Sequence, residues 1–326
     1  YRVLAVACRT DRTETDAPYK KITWLELLGM VDPPRSDIGA AIDECRRAGI
    51  RTVMVTGDQA QTALHVARAV GIVEPDDDTV IPGSELERTG VAKSGAIERL
   101  QSGRVFSRVS PKQKLDLVGV HQDAGNVVAM TGDGLNDAPA LKKSDFGVSM
   151  GLRGTQVARE VADVVLKDDA FATIVYAVRE GRTIFGNIRK FVLYLLSCNI
   201  AEILVIFLAT LANMPLPILP LQILFLNLVT DVFPALALGA GEGHDRVMQD
   251  PPRPKSEPIL TRRHWFEISG YGLLIALATL TAYVLADIAF GWSREQQVTV
   301  AFLTLATSQL WHVFNMREHD ASLFNN

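Results

Sequence analysis

Residues 130–151 read MTGDGLNDAPALKKSDFGVSMG and come at the end of an apolar stretch. Their first eight residues contain two aspartates and an asparagine. Asp133, Asn136 and Asp137 all offer side-chain oxygens, and a glycine on either side of Asp133 permits a tight turn. Oxygen ligands at the end of a strand suit a hard cation such as Mg²⁺. A solvated turn between a strand and a helix could have the same residues, so the GDG motif alone leaves both interpretations open.

Two further polar features follow predicted strands in the first half of the chain. Thr56, Gly57 and Asp58 come after the β-branched run IRTVMV, and Lys114 lies just beyond the run RVFSRV. The carboxyl ends of parallel strands form the ligand-binding edge of such a sheet. These groups would therefore suit a phosphoryl group there, with Lys114 neutralising its charge and Asp133 holding Mg²⁺. Taken alone, Lys114 is more simply a solvated helix residue.

Strand-like and helix-like segments alternate through the first half of the chain. Ser36 is the predicted cap of a helix over DIGAAIDECRRA, Gly49 ends that helix, and Pro111 begins a later one. The runs RVFSRV, NVVAM, FGVSM and ADVVL are predicted strands. This alternation predicts one parallel sheet that is covered by helices on both faces.

Charge and hydropathy divide the chain into two parts. The length of 326 residues is enough for two domains, and the net charge of −4 argues against a nucleic-acid-binding protein. Residues 1–190 carry most of the charge, whereas 191–314 hold long apolar runs. The three cysteines are far apart, which predicts a reducing compartment and no disulfide framework. No N-terminal signal peptide is recognisable, and a first residue of Tyr1 rather than Met indicates a piece of a longer polypeptide.

Four apolar segments have the length of a membrane span. They are residues 191–212, 218–240, 265–290 and 298–316. A stalk helix is predicted to begin near Phe171 and to run into the first span. The charged half is expected to be cytosolic because it would need ATP, and the basic residues of the loop 241–264 are consistent with the same side.

The first two spans contain polar side chains that need an explanation, because a carboxylate within a bilayer is costly. The oxygen-bearing side chains are those of Asn199, Glu202, Asn227, Thr230 and Asp231. Their spacing places them on one face of each helix. An all-oxygen set suits Ca²⁺, Mg²⁺, Mn²⁺ or alkali ions rather than copper or zinc, and hydrogen bonding between helices is the alternative for the asparagines and the threonine. Pro234 follows these residues by one turn and is predicted to loosen the second helix.

Together these motifs resemble the P-type cation-transporting ATPases. The segments TGD, FSRVSPKQK and 130–151 are similar to the phosphorylation domain of that family, which belongs to the haloacid-dehalogenase-like class. LLGMVDPPR resembles the strand and hinge by which the family's chain re-enters that domain, and SCNIAEILVIF and LNLVTDVFPALALG resemble the fifth and sixth membrane helices of the Ca²⁺-pump branch. The resemblance implies a Rossmann-like α/β domain followed by an all-α transmembrane bundle. Its parts would be the end of the nucleotide-binding domain (1–26), the phosphorylation domain (27–170) and the stalk with the membrane helices (171–326).

The resemblance also implies roles for individual residues. The catalytic residues would be Thr56, Lys114, Asp133, Asn136 and Asp137, with Asp133 as a ligand of Mg²⁺. The nucleotide or phosphate would be bound by Arg35, Thr56, Gly57, Asp58, Arg108 and Lys114. The transported ion would be bound by Asn199, Glu202, Asn227, Thr230 and Asp231. Gln309 is a further candidate, at the position where two-site Ca²⁺ pumps carry a glutamate, and its neutral side chain favours one ion per cycle.

The implied function is ATP-driven transport of a cation through an aspartyl-phosphate intermediate, with Mg²⁺ and ATP as cofactors. Ca²⁺ is the first candidate, and Mn²⁺ or a monovalent cation is the alternative. The 326 residues contain no DKTGT segment, which carries the family's nucleophilic aspartate. We expect that segment, the actuator domain and helices one to four before Tyr1, and helices nine and ten after Asn326, so the chain alone should be inactive.

A multi-pass protein of the plasma membrane is expected. The other hypotheses are a non-catalytic, truncated membrane binding or regulatory protein, and a phosphatase fused to a passive membrane anchor.

Overall fold

The computed structural model describes residues 2–8, 22–30, 33–88, 94–243 and 245–316. The chain forms two compact units. The first comprises Tyr1–Val175 with Asp250–Lys255, and the second comprises Tyr176–Gln249 with Ser256–Asn326. The first unit thus extends beyond the predicted boundary at residue 170 and includes residues 250–255, which were predicted to belong with the membrane helices.

An antiparallel hairpin begins the first unit. Its strands are β1 (Arg2–Cys8) and β2 (Thr23–Met30), with an irregularity in the register between Val6 and Ala7. The side chains of Leu4, Trp24 and Leu27 on these strands are exposed. Most of the predicted loop after the first strand, residues 9–21, and Val31 and Asp32 of the predicted hinge lie outside the described residues.

Six short parallel strands follow in the first unit. They are β3 (Met54–Val55), β4 (Ile81–Pro82), β5 (Val105–Ser107), β6 (Ala129–Gly132), β7 (Phe146–Met150) and β8 (Val164–Leu166). The predicted parallel pairing is confirmed, and the described residues divide these strands between two three-stranded sheets, ordered β3-β5-β4 and β6-β7-β8, rather than one. Strands of two or three residues, as in the first sheet, provide few ladder hydrogen bonds with which to join a wider sheet.

Seven helices connect these strands in the described part of the unit. They are α1 (Ile38–Arg47), α2 (Ala60–Ala69), α3 (Gly83–Arg88), α4 (Ser94–Ser102), α5 (Pro111–Asp123), α6 (Ala138–Lys143) and α7 (Gln156–Val161). The cap of α1 is Asp37 rather than the predicted Ser36, because the chain before Asp37 still forms a turn. Gly49 ends α1 in a left-handed conformation, as predicted, with φ of 69°. Pro111 begins α5, as predicted, behind the capping residue Ser110.

The second unit is helical. It contains most of α8 (Phe171–Leu211), then α9 (Pro220–Phe225), a π-helical segment (Leu226–Thr230), α10 (Val232–Gly239), a 3₁₀ turn (Asp245–Met248), α11 (Arg262–Ile288) and α12 (Arg294–Asn315). The predicted start of the stalk helix at Phe171 is confirmed. Within the described residues, three helical stretches are long and apolar enough to cross a membrane: Phe171–Leu211, Pro220–Gly239 and Arg262–Ile288. The fourth predicted span forms α12 but is not among these three, so its place in a membrane stays a prediction.

Candidate functional site

The first predicted site is built from loops that follow the parallel strands. The Thr56 N–H donates to the Phe106 carbonyl at 3.0 Å, and the Thr56 carbonyl accepts from Val109 N at 3.0 Å. Arg108 donates its N–H to the Asp58 carbonyl at 2.9 Å. The loop that contains Thr56 and Asp58 is therefore held against the loop that contains Arg108, at the carboxyl ends of β3 and β5.

Within the first of these loops, Thr56 and Asp58 hold each other in a tight turn. The Thr56 hydroxyl donates to Asp58 Oδ2 at 3.0 Å, and it accepts from the Asp58 N–H at 3.1 Å. Asp58 is exposed and Thr56 is half-buried. Because the hydroxyl has a single O–H, a contact with a phosphoryl oxygen would require that O–H to leave Asp58.

Lys114 joins these loops to the motif that follows β6. The cap of α5 fixes its first turn, since Ser110 N donates to Gln113 Oε1 at 2.8 Å. One residue later, Lys114 Nζ lies 2.6 Å from Asp137 Oδ1. Both side chains are largely buried, with exposed fractions of 15% and 10%. The pair therefore concentrates opposite charges where water screens them little.

The GDG turn holds Asp137 in this pair. The Gly134 N–H donates to Asp137 Oδ2 at 3.2 Å. A Cβ atom at Gly132 would lie 2.5 Å from the Asp137 Cβ, so only glycine fits there without a shift of the chain. Asp133 and Asn136 are exposed, and the Asp133 carbonyl accepts from Thr155 N at 2.8 Å. The Lys114–Asp137 pair and the backbone bonds of Thr56 and Asp58 thus connect the three loops.

Arg35 lies apart from this group. Its guanidinium donates to the Asp169 carbonyl at 2.9 Å, and no hydrogen bond between described residues joins it to Thr56, Lys114 or Asp137. The Asp169 carboxylate accepts from Leu152 N and from Arg153 N, each at 2.9 Å. These backbone donors, Leu152 first, hold the pKa of Asp169 below its ordinary value. The contact of Arg35 with a nucleotide or phosphate stays a prediction.

The second predicted site centres on Glu202 of α8, whose side chain is buried in the second unit. Asn227 Nδ2 donates to Glu202 Oε2 at 3.0 Å, and Gln309 Nε2 donates to Glu202 Oε1 at 3.0 Å. The structure therefore brings α8, the π-helical segment and α12 together at one carboxylate. Gln309 is fully buried, and its role as an ion ligand stays a prediction.

Asp231 provides the second carboxylate of this site, and 2% of its surface is exposed. Tyr194 donates its hydroxyl to Asp231 Oδ1 at 3.4 Å. Asp231 Oδ2 and Gln309 Oε1 are buried and have no hydrogen-bond partner among the described residues. Buried oxygens without donors are costly, and a cation that binds them would remove that cost. Sequence reasoning missed Tyr194, for which the one available signal was a tyrosine inside an apolar span.

The remaining predicted ligands already use part of their side chains. Asn199 Nδ2 donates to the Leu195 carbonyl at 2.7 Å, and Asn227 Nδ2 also contacts the Ile223 carbonyl at 3.0 Å. Both bonds use amide N–H groups, so the amide oxygens remain for a ligand. Thr230 is buried. No group of three or more His, Cys, Asp or Glu side chains that could hold a metal occurs in the described ranges, and the predicted set relies on amide and hydroxyl oxygens beside two carboxylates.

The local geometry of the second helix differs from the predicted α-helical face. Residues Leu226–Thr230 form a π-helix, and Asp231 N donates to the Leu226 carbonyl five residues earlier at 3.0 Å. The cause lies at Pro234, which lacks an N–H for the Thr230 carbonyl and whose ring disfavours a regular turn there. The predicted loosening of the helix therefore occurs on the amino-terminal side of Pro234 and includes Asn227 and Thr230. Such π-helical segments are frequent at functional sites.

Comparison with known proteins places this chain in a family. Residues 215–326 match the family model described as cation transporting ATPase, C-terminus, and residues 4–145 match haloacid dehalogenase-like hydrolase. A calcium-transporting ATPase of Bacillus subtilis is 42% identical over 328 residues, which cover 99% of this chain and 36% of that protein. The chain belongs to the P-type cation-transporting ATPase family. This membership confirms the resemblance, and it confirms a haloacid-dehalogenase-like domain followed by apolar helices.

Other members of the family match over a smaller part of the chain. The endoplasmic reticulum calcium ATPase srcA of Aspergillus fumigatus is 42% identical over 81% of this chain and 27% of its own length. The P-type sodium-transporting ATPase4 of Toxoplasma gondii is 43% identical over 83% of this chain and 21% of its own length. The chain thus spans well under half the length of these curated relatives.

Proposed function

We propose that this chain is part of an ATP-driven cation pump and that Ca²⁺ is the transported ion. The observation that carries this proposal is the buried pair of carboxylates Glu202 and Asp231, which are 4% and 2% exposed on neighbouring apolar helices. A passive membrane anchor would have no use for two such groups. The calcium-transporting ATPase of Bacillus subtilis, which matches over 99% of this chain, supports the same function.

The ion would be held by oxygen atoms alone. Glu202 and Asp231 would supply the charge, and the other ligands would be Asn199, Asn227, Thr230 and Gln309. Ca²⁺ takes six to eight oxygen ligands in flexible arrangements, which suits a set built from carboxylates, amides and a hydroxyl. Only two carboxylates are present, which favours one ion per cycle.

A monovalent cation is the second candidate cargo. The sodium-transporting relative from Toxoplasma gondii matches 83% of this chain at 43% identity. The same set of oxygens suits Na⁺ or Mn²⁺, so the ligand types alone do not separate these ions.

Phosphoryl transfer would occur at the loops that follow the parallel strands. Thr56 and Lys114 would contact the phosphoryl group, and the Lys114 ammonium would stabilise its negative charge during transfer. Asp137 would hold Lys114 in position. Gly57, Asp58, Arg108 and Arg35 would bind the nucleotide or phosphate, and Asn136 would complete the loop.

Magnesium fits this site through Asp133. Proteins hold Mg²⁺ through one or two carboxylates together with phosphate oxygens, and Asp133 is an exposed carboxylate in the same loop as Asp137. Bound Mg²⁺ would neutralise part of the phosphate charge. The aspartyl-phosphate would form on an aspartate of a DKTGT segment. These 326 residues contain no such segment, and we propose that it lies elsewhere in the same polypeptide.

The three apolar helices and the family indicate a membrane protein. We propose that it crosses the plasma membrane several times and that the first unit faces the cytosol. An actuator domain and further membrane helices of the same polypeptide would be its partners. The endoplasmic reticulum relatives make an internal membrane the alternative.

Uptake of radioactive calcium into sealed membrane vesicles tests this function. The native gene product should accumulate calcium only when ATP is present, and Glu202→Gln should remove that uptake. Glu267→Gln is the matched control, because Glu267 pairs with Arg263 at 2.8 Å on the exposed side of α11. ATP-dependent uptake of sodium instead of calcium would identify a monovalent cation as the cargo. Full calcium uptake by Glu202→Gln would contradict the proposed ion site.

A further inference from the structure

A cavity bounded by three arginines lies at the other edge of the β3-β5-β4 sheet. It has a volume of about 190 Å³ and is lined by Arg46, Arg51, Arg104 and Thr52, together with Gly49 and three isoleucines. Arg51 and Thr52 precede β3, and Arg104 precedes β5. The cavity is therefore at the amino ends of these strands, whereas the candidate phosphoryl site is at their carboxyl ends.

Each arginine is positioned by a backbone carbonyl. Arg51 donates to the Gly103 carbonyl at 2.6 Å, Arg104 donates to the Ile72 carbonyl at 3.2 Å, and Arg46 donates to the Gly71 carbonyl. A guanidinium has five N–H donors, so these bonds leave most of each fork unused. Carbonyl groups are neutral, and they fix the three side chains without cancelling their charge.

Few carboxylates offset this positive charge. Arg46 pairs with Asp43 at 3.3 Å, and both side chains are well exposed. Within the described ranges, neither Arg51 nor Arg104 forms an ion pair. The hydrogen bonds of Asp77 to Thr79, including that of the Thr79 N–H at 2.8 Å, lower the pKa of Asp77 most, and the charge of Arg104 lowers it to a smaller extent.

Arg51 and Arg104 also repel each other. Burial, and then the charge of Arg104, lower the pKa of Arg51 below its ordinary value. Neighbouring like charges destabilise a fold unless an anion lies between them. Guanidinium forks match the oxygens of a phosphate group, which they bind through paired, charge-assisted hydrogen bonds.

We propose that this cavity binds a phosphate-bearing anion between the side chains of Arg46, Arg51 and Arg104, at a site separate from the phosphoryl site. The anion is either free phosphate or the headgroup of an anionic phospholipid, since both present the same oxygens. The alternative role of the arginines is only to bind the carbonyls that follow the ends of α2 and α4.

Thermal unfolding of the native gene product in neutral detergent tests the proposal. The solutions contain EDTA to remove Mg²⁺, and sodium phosphate is compared with sodium chloride at equal ionic strength. Arg51→Gln and Arg104→Gln are compared with Arg47→Gln, which changes an exposed arginine of α1 that does not line the cavity. The difference between variants is the readout, because phosphate also stabilises proteins without a specific site.

Phosphate should raise the unfolding temperature of the native protein and of Arg47→Gln by a few degrees more than that of the two cavity variants. A second arm replaces free phosphate with phosphatidylglycerol and uses phosphatidylcholine as its reference. If the difference between variants appears with phosphatidylglycerol but not with free phosphate, the bound anion is a lipid headgroup. Equal shifts for all variants in both arms would overturn the proposal and leave the arginines as carbonyl ligands.

Thr52→Glu tests the same site in the opposite direction. Thr52 lines the cavity, so a glutamate there would supply a carboxylate to the three arginines from within the chain. This variant should unfold at a higher temperature than the native protein without phosphate, and it should lose the specific response to phosphate. An unfolding temperature at or below the native value, with the phosphate response intact, would contradict the proposal.

Discussion

The contact between Lys114 and Asp137 is a largely buried ion pair of the candidate phosphoryl site. Its two charges lie 2.6 Å apart and are mostly shielded from water. Asp137 has one further described donor, the Gly134 N–H, so loss of the ammonium would leave a buried carboxylate poorly satisfied. Lys114 would thus both support the loop and neutralise a phosphoryl group.

Replacement of this lysine should therefore reduce both stability and activity. We expect Lys114→Ala to lower the free energy of unfolding by roughly 1–3 kcal/mol and phosphoenzyme formation by about 10²-fold. Chemical denaturation and labelling with radioactive ATP measure the two effects. Lys112→Ala, at an exposed position of the same helix, is the control and should behave as the native protein. Normal phosphoenzyme formation by Lys114→Ala would exclude the proposed role.

A second ion pair makes the stability of the first unit depend on pH. Lys255 Nζ lies 2.8 Å from Asp145 Oδ1, and this bond, followed by that of the Val128 N–H, lowers the pKa of Asp145 from its ordinary value of 3.8 to about 2. A lowered carboxylate pKa contributes stability that is present above the unfolded value, near pH 4, and that is lost as the pH falls through about 2.

Lys255→Met should remove most of this contribution. Because 66% of the Lys255 side chain is exposed, solvent screens the pair, and the expected loss at pH 7 is about 1 kcal/mol or less. Denaturation at a series of pH values should show the difference from the native protein shrinking below pH 4. Lys167→Met, which changes an exposed lysine without a described ion pair, should show no such difference. A difference that grows toward low pH would contradict this account of Asp145.

Single residues could be predicted where a short sequence motif marks them. The GDG loop and Lys114 were predicted as site residues because each follows a predicted strand, which places them at the carboxyl edge of a parallel sheet. The pairing of Lys114 with Asp137 was not predicted, since it depends on how two side chains pack across loops that are 23 residues apart. Tyr194 was missed because its contact with Asp231 joins two helices, and such contacts leave no periodic signal in the sequence.

At the level of helices and strands, α8 and α11 approach closely at a glycine. A Cβ atom at Gly272 would lie 2.7 Å from Ile200 Cγ2 and 3.2 Å from the Ser197 carbonyl oxygen. Ser197 and Ile200 flank Asn199, so this contact fixes the part of α8 that carries a predicted ion ligand. Small residues commonly allow such close contacts between membrane helices.

Gly272→Ala should separate these two helices and destabilise the second unit by roughly 1–3 kcal/mol. Gly270→Ala is a closely matched control, because a Cβ atom there has no neighbour within 4 Å and alanine favours helices. Thermal unfolding in detergent measures both variants. Equal unfolding temperatures for the two variants would contradict a close contact between α8 and α11 at Gly272.

Elements with long, regular patterns were predicted best. The start of α8 at Phe171, the proline at the beginning of α5 and the glycine that ends α1 follow from strong local signals. The second span was predicted as one helix with a weak point at Pro234, but the structure contains a π-helical segment before that proline. A proline indicates that the helical hydrogen bonding must change nearby. The sequence does not indicate which turn forms the π-helical hydrogen bond between residues five apart.

For the whole molecule, the two candidate sites lie in different units. The phosphoryl site belongs to the first unit, the ion site belongs to the second, and α8 contains residues of both. The division into a charged half and an apolar half was predictable from composition. The separation of the parallel strands into two sheets was not, because it depends on hydrogen bonds between segments that are distant in the sequence.

In the proposed pump, binding of the cation at Glu202 and Asp231 would control phosphoryl transfer in the first unit. This coupling is tested by phosphorylation of the native gene product with radioactive ATP, with and without Ca²⁺, followed on an acidic gel. The control is Asp287→Asn, because Asp287 is an exposed carboxylate near the end of α11 that binds Gln297 at 2.9 Å. We predict calcium-dependent labelling of the native protein and of Asp287→Asn, and loss of that dependence in Asp231→Asn. Calcium-dependent labelling that is unchanged in Asp231→Asn would contradict the account.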